Sequence, residues 1–241
     1  MYYSSSNNLL YILLFVLIIS NLFSGGFNLL SLLLTFPGVL IALTFHEFAH
    51  AYVADKLGDD TPRSQGRLNL NPFSHLDPFG FIMLLFAHIG WGKPVEINPR
   101  NFNSKYSVSA GEAIVAVAGP VMNFLLAIVF GLIYCGLIKF APRVLFLLNG
   151  TFDTILLYAI IVNVGLGVFN LIPLPPLDGS KVLMHFLPYN AKRWFEERTQ
   201  LFYIIFLVIW ITPLAGSITS PIINGIVKGI FALGNLIFQI I

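Results

Sequence analysis

Charged residues are scarce in this sequence. Asp, Glu, Lys and Arg make up 10% of its 241 residues, where a soluble domain carries about 25%. With 57% hydrophobic residues and a mean hydropathy of +0.84, the chain reads as an integral membrane protein. Its net charge is only +2, with the cations mostly in loops, which excludes a nucleic-acid surface. Cysteine is nearly absent too. A single Cys135 in an apolar run excludes an internal disulfide and a Cys-based zinc site, and reads as a small packing residue. The first residues, Met1-Tyr2-Tyr3-Ser4-Ser5-Ser6, lack the basic region of a cleavable signal peptide, so the first apolar run is expected to be a retained span. Neither an internal repeat nor a low-complexity tract is present.

What the chain does have is long apolar runs. They cover about Leu9–Phe23, Phe27–Ala54, Ala110–Leu137, Val144–Leu171, Leu201–Leu214 and Ile218–Ile241. The expectation is an all-α, polytopic bundle of about six transmembrane helices forming one integral-membrane domain over 1–241. Pro37-Gly38 is expected to kink the second run. Between the second and third runs, residues 55–106 change character, with six Lys or Arg and the pairs Asn71-Pro72 and Asn98-Pro99. Within it, Phe79–Trp91 is apolar but too short to span, and reads as re-entrant or interfacial. Val95-Glu96-Ile97 reads as a short strand or hairpin arm, whose edge could receive an extended peptide. Lys181, Lys192, Arg193 and Arg198 follow the fourth run, whereas only Lys139 and Arg143 separate the third from the fourth. The positive-inside rule therefore places both large loops and both termini in the cytoplasm. Lys228 stands alone in the last run, where it snorkels or faces protein.

The chemistry centres on His46-Glu47-Phe48-Ala49-His50, inside the second run. Ionisable groups in hydrocarbon are costly and face protein or water. His46 and His50, four residues apart, share one helix face within reach of a single metal ion, and Glu47 beside them suits a general base acting on metal-bound water. Catalytic zinc takes three protein ligands and keeps one open position. Asp178 is the best third ligand by position, although Asp178-Gly179 also reads as an ordinary helix-end turn. His75, Asp77, His88 and His185 compete from in or beside loops. Asn170, near the end of the fourth run, either donates to a developing oxyanion or caps backbone freed by the proline break. Asn123 reads as an interhelical amide.

With these residues assembled, the chain resembles the site-2 protease family of intramembrane zinc metalloproteases. The likeness rests on His46–His50 together with Asn170-Leu171-Ile172-Pro173-Leu174-Pro175-Pro176-Leu177-Asp178-Gly179. Gly66–Pro72, Asp77–Gly80, Gly92–Val95 and Gly119–Asn123 resemble the connecting segments of compact bacterial members that lack a PDZ module. The resemblance covers about residues 35–190, a catalytic core, and leaves 200–241 as two additional spans. It implies His46, His50 and Asp178 as zinc ligands, Glu47 as general base and acid, and Asn170 and Pro176 as substrate-contacting residues. The loop charges in turn set the site of this multi-pass cell-membrane protein toward the cytoplasm. The substrates the resemblance implies are membrane proteins cut in or near a single span or signal anchor, with the lipid bilayer as surroundings. A regulatory partner stays unidentified.

Two other readings compete. Membrane proteases of the prenyl-protease type use the same histidine pair but take a later glutamate as third ligand, and Glu112, Glu196 and Glu197 lack that context. A zinc-binding scaffold or transporter without proteolytic activity would have no need of Glu47.

Overall fold

The computed structural model describes residues 29–80, 92–147 and 149–240. In chain order the helices are α1 (Leu29–Lys56), the single turns α2 (Thr61–Ser64) and α3 (Pro72–His75), α4 (Val108–Phe140), the short α5 (Pro142–Leu145), α6 (Thr151–Asn170), α7 (Asp178–Phe186), α8 (Tyr189–Glu197), α9 (Thr199–Ile211) and α10 (Leu214–Phe238). Four of these, α1, α4, α6 and α10, are long and apolar enough to cross a membrane, so this is a mostly helical, multi-pass membrane protein. The expected fifth span is the 13-residue α9, shorter than the roughly 17 residues a crossing needs. The apolar run 9–23 lies outside the described residues, as does nearly all of the expected re-entrant stretch.

Helices α1, α4 and α6 pack on one another, and α10 lies against α4 and α6. Lipid gives apolar side chains no reason to seek each other, so close backbone approach holds such bundles. A Cβ at Gly38 would fall 2.9 Å from the Cα of Ala159, which ties α1 to α6. A Cβ at Gly234 would fall 2.4 Å from Cys135 Sγ, which ties α10 to α4 and gives the lone cysteine its packing role. Ala127, Val164, Val168 and Ile230 close the core where α4, α6 and α10 meet.

No strand forms among the described residues; Leu76 and Gly92 make one isolated antiparallel bridge. The expected hairpin arm at Val95–Ile97 does not form; carboxylates take main-chain donors at its first residue and just past its end. Val95 N–H donates to Glu47 Oε2 at 3.0 Å, and Asn98 N–H donates to Asp59 Oδ2 at 2.7 Å. Asp59 is fully buried just beyond α1 and also accepts from Thr61 and Asn101. Burial alone would raise its carboxyl, but these hydrogen bonds outweigh it and hold Asp59 below the usual carboxylate range. One charged side chain thus anchors the loop to the end of α1.

Candidate active site

His46, Glu47 and His50 sit in the last third of α1, with His50 six residues, or about 9 Å of helix rise, before Lys56. Asp178 opens α7, after the Pro-rich break that ends α6. The break folds back tightly here: a Cβ at Gly179 would fall 2.3 Å from the carbonyl oxygen of Leu171. That approach delivers Asp178 to the histidines. His46 Nε2 and His50 Nε2 lie 3.0 Å apart, and Asp178 Oδ2 lies 3.1 and 3.3 Å from them. Among the described residues this is the one group of three side chains able to hold a metal ion.

The far side of each ring decides where its hydrogen sits. His50 Nδ1 lies 2.7 Å from the Val115 carbonyl, which only accepts, so Nδ1 carries the proton. His46 Nδ1 lies 2.7 Å from Asn123 Oδ1. The amide is oriented because Asn123 Nδ2 donates to the Ala42 carbonyl and to Asn163 Oδ1. With Nδ1 engaged on each ring, Nε2 is the atom left to bind a metal, and both Nε2 atoms face one buried Asp178 oxygen. A proton would bridge two of these three atoms; a metal ion serves all three. Tetrahedral zinc with bonds of about 2.0–2.2 Å places its ligands about 3.3–3.5 Å apart, close to the spacing seen. Gly119 of α4 backs the site, where a Cβ would fall 2.5 Å from His50 Nε2 and 2.7 Å from His46 Nε2. The residues fit zinc.

Fully buried Asn123 is more than the interhelical amide expected from sequence, since it holds a proposed ligand in one tautomer. Its signal was an amide inside an apolar run, but nothing in the spacing named His46 as its partner. Replacing it, as Asn123→Leu, is expected to weaken zinc binding about 10–100-fold, measured by chelator competition on folded protein. Unchanged affinity would reduce Asn123 to a packing role.

Glu47 faces a different segment. Its Oε2 accepts from Val95 N–H, and a Cβ at Gly92 would come within 3.6 Å of Oε1. That segment is strapped in place. Lys93 N–H donates to the His75 carbonyl at 2.7 Å, and buried Arg67 donates to the carbonyls of Ser74 and Lys93. His75, a competing ligand by sequence, instead donates from Nε2 to the Asn69 carbonyl. Burial pushes its imidazole below the ordinary histidine value, which suits a neutral structural ring. Asp77 accepts from Gly80 N–H, His185 lies on α7 outside the cluster, and His88 lies outside the described residues. Of the rival carboxylates, Glu112 pairs with Lys181 and Glu197 with Arg193.

A cavity of about 1190 Å³ runs from His46, Glu47, His50 and Asp178 along α1 and α6 to α9 and α10. Phe36, Leu166, Phe206 and Trp210 line its apolar length. Asn170 and Pro176 line it near the ligand end, where Asn170 Nδ2 bonds back to the Leu166 carbonyl.

The model of peptidase family M50 matches residues 136–213. A Bacillus subtilis protein, YwhC, is a zinc metalloprotease by name; it is 38% identical over 201 residues, covering 83% of this chain and 90% of its own length. Rip2 of Mycolicibacterium smegmatis, likewise a zinc metalloprotease by name, is 29% identical over 75% of this chain and 68% of its own. MJ0611 of Methanocaldococcus jannaschii, so named too, is 28% identical over 81% and 91%. No solved structure matches the chain significantly.

Proposed function

The chain belongs to peptidase family M50, the site-2 protease family of zinc metalloproteases, and from that premise we propose that it hydrolyses peptide bonds within or beside membrane-spanning segments of other proteins. The observation that carries this reading is the meeting of a three-atom metal cradle and a carboxylate at one end of a long apolar cavity between membrane helices. A soluble peptide needs no such approach; an apolar segment does.

In this reading His46, His50 and Asp178 hold zinc. Zinc bound there supplies a Lewis acid and a water of lowered pKa. Asn123 and the Val115 carbonyl hold the Nδ1 side of each ring, so both rings stay oriented with Nε2 toward the metal position. Glu47 takes the proton of the attacking water and passes it to the leaving amine. Its bond from Val95 N–H fixes the carboxylate's direction, and glycine at 92 leaves room beside Oε1. A helical substrate hides its peptide bonds and must unwind before its carbonyl reaches the site. Asn170 and Pro176, on the cavity wall, contact that unwound stretch. Residues 35–190 form the catalytic core, and α9 and α10 complete the wall of the cavity. The loop charges place the site toward the cytoplasmic side.

The test is product mapping. Purified chain in vesicles should cut tagged single-span substrates at bonds inside or within a few residues of the span, lose activity on chelation, and regain it with one zinc per chain. Cuts confined to water-exposed domains would sink the intramembrane assignment. Stoichiometric zinc with no cleavage of any span in a broad panel would favour a binding-only protein.

A further inference from the structure

Helix α10 carries a polar stripe along an outer surface that is otherwise apolar, with Ile218, Ile222, Leu233 and Leu236 exposed beside it. Its inward face packs through Ile223, Ile226, Val227 and Ile230 onto α4 and α6. On the opposite face, at helical spacing, stand Ser217, Asn224, Lys228 and Asn235, all exposed. Ser217 Oγ bonds back to its own helix at the Leu214 carbonyl. Among the described residues, the side chains of Asn224, Lys228 and Asn235 make no hydrogen bond or ion pair.

Lys228 stands far from both ends of α10, where snorkelling is least effective. It stands fourteen residues after Leu214 and ten before Phe238, about 21 and 15 Å of helix rise. Helical side chains lean toward the N-terminus, so its chain points along the longer path. An ammonium at that depth is costly, and a carboxylate is the partner that offsets the cost most directly. This chain has none to offer: residues 1–28 and 81–91 contain no Asp or Glu, and among the described residues none pairs with Lys228. A second copy related by a two-fold axis along the membrane normal would set Lys228 against Lys228 at one depth. We propose that the outer face of α10 docks a membrane-spanning helix of a partner protein that carries a carboxylate near mid-depth, paired with Lys228 and flanked by Asn224 and Asn235. Gly225 and Gly229, whose missing Cβ atoms would meet open space, let that helix approach closely.

The probe is a synthetic Leu/Ala single-span helix bearing Asp, Lys or Leu at its centre and a cysteine one turn away. It is reconstituted in phosphatidylcholine vesicles with the full chain carrying Ala232→Cys. The Asp helix is expected to form the disulfide about tenfold more than the Lys helix, and Lys228→Glu should reverse that order. Lys228→Gln, checked for retained zinc content as evidence of folding, should abolish the discrimination. Equal yields from all three probes would overturn the proposal. So would disulfides between two copies of the chain at Ala232→Cys, a cross-link to a cysteine placed within residues 9–23, or loss of discrimination against anionic phosphatidylglycerol.

Discussion

Glu47→Gln is expected to lower the rate of cleavage by about 10²–10⁴-fold while zinc content stays at one per chain. The reasoning separates the two functions along α1. The three converging atoms belong to His46, His50 and Asp178, and none of their contacts runs through Glu47. Glutamine keeps the length of the side chain and an oxygen to accept from Val95 N–H, so the strapped segment around Gly92 stays where it is. What disappears is the ability to take a proton. The loss should therefore fall on kcat, with substrate binding in the apolar cavity little changed. Cleavage that survives within tenfold would remove Glu47 from the chemistry. Loss of zinc along with activity would show that Glu47 supports the ligands, a role its contacts do not give it.

How far the sequence foretells this site depends on the range of each contact. His46, Glu47 and His50 were legible because a helix of known period fixes their mutual placement within one turn. The order of spans and the charge pattern, which return α6 to the depth of His50, made Asp178 a candidate, and the family resemblance singled it out. The supports were out of reach. Val115, Gly119 and Asn123 lie on α4, and which of its faces meets the histidines follows from close approaches such as that of Gly119 to the two rings. Spacing along the chain carries no trace of that rotation. The same limit explains the expected strand at Val95–Ile97. No strand forms there, because Val95 N–H goes to Glu47 and the adjoining Asn98 N–H to Asp59, side chains 48 and 39 residues earlier. The fifth apolar run misled for a different reason. Its hydropathy is that of a span, and the break at Thr212-Pro213 leaves α9 too short to be one. Lys228 was anomalous from composition alone, and only the packing of Ile226 and Ile230 showed that it faces outward.

Gly119→Ala is expected to abolish zinc binding, and with it all cleavage, although the substitution adds a single methyl. The new Cβ would stand 2.5 Å from His50 Nε2, 2.6 Å from His46 Cε1 and 2.7 Å from His46 Nε2. Those nitrogens are the donor atoms, so relief by rotating either ring turns a lone pair away from the cradle. The rings are also pinned from behind by Asn123 and the Val115 carbonyl, both on the same helix as Gly119. Moving α4 outward would lengthen those bonds as well. Either escape costs more than the 10–100-fold in affinity lost with one outer partner, so a drop of about 10²-fold or more is expected. A steric control lies one helix stretch away. A Cβ at Gly111 would fall 2.4 Å from the Phe102 ring, an equally severe clash that meets no ligand. Gly111→Ala should therefore lower thermal stability yet keep zinc at one per chain. If both variants lose zinc equally, the effect of Gly119→Ala is general destabilisation. If both keep it, the glycine is not what leaves room for the metal.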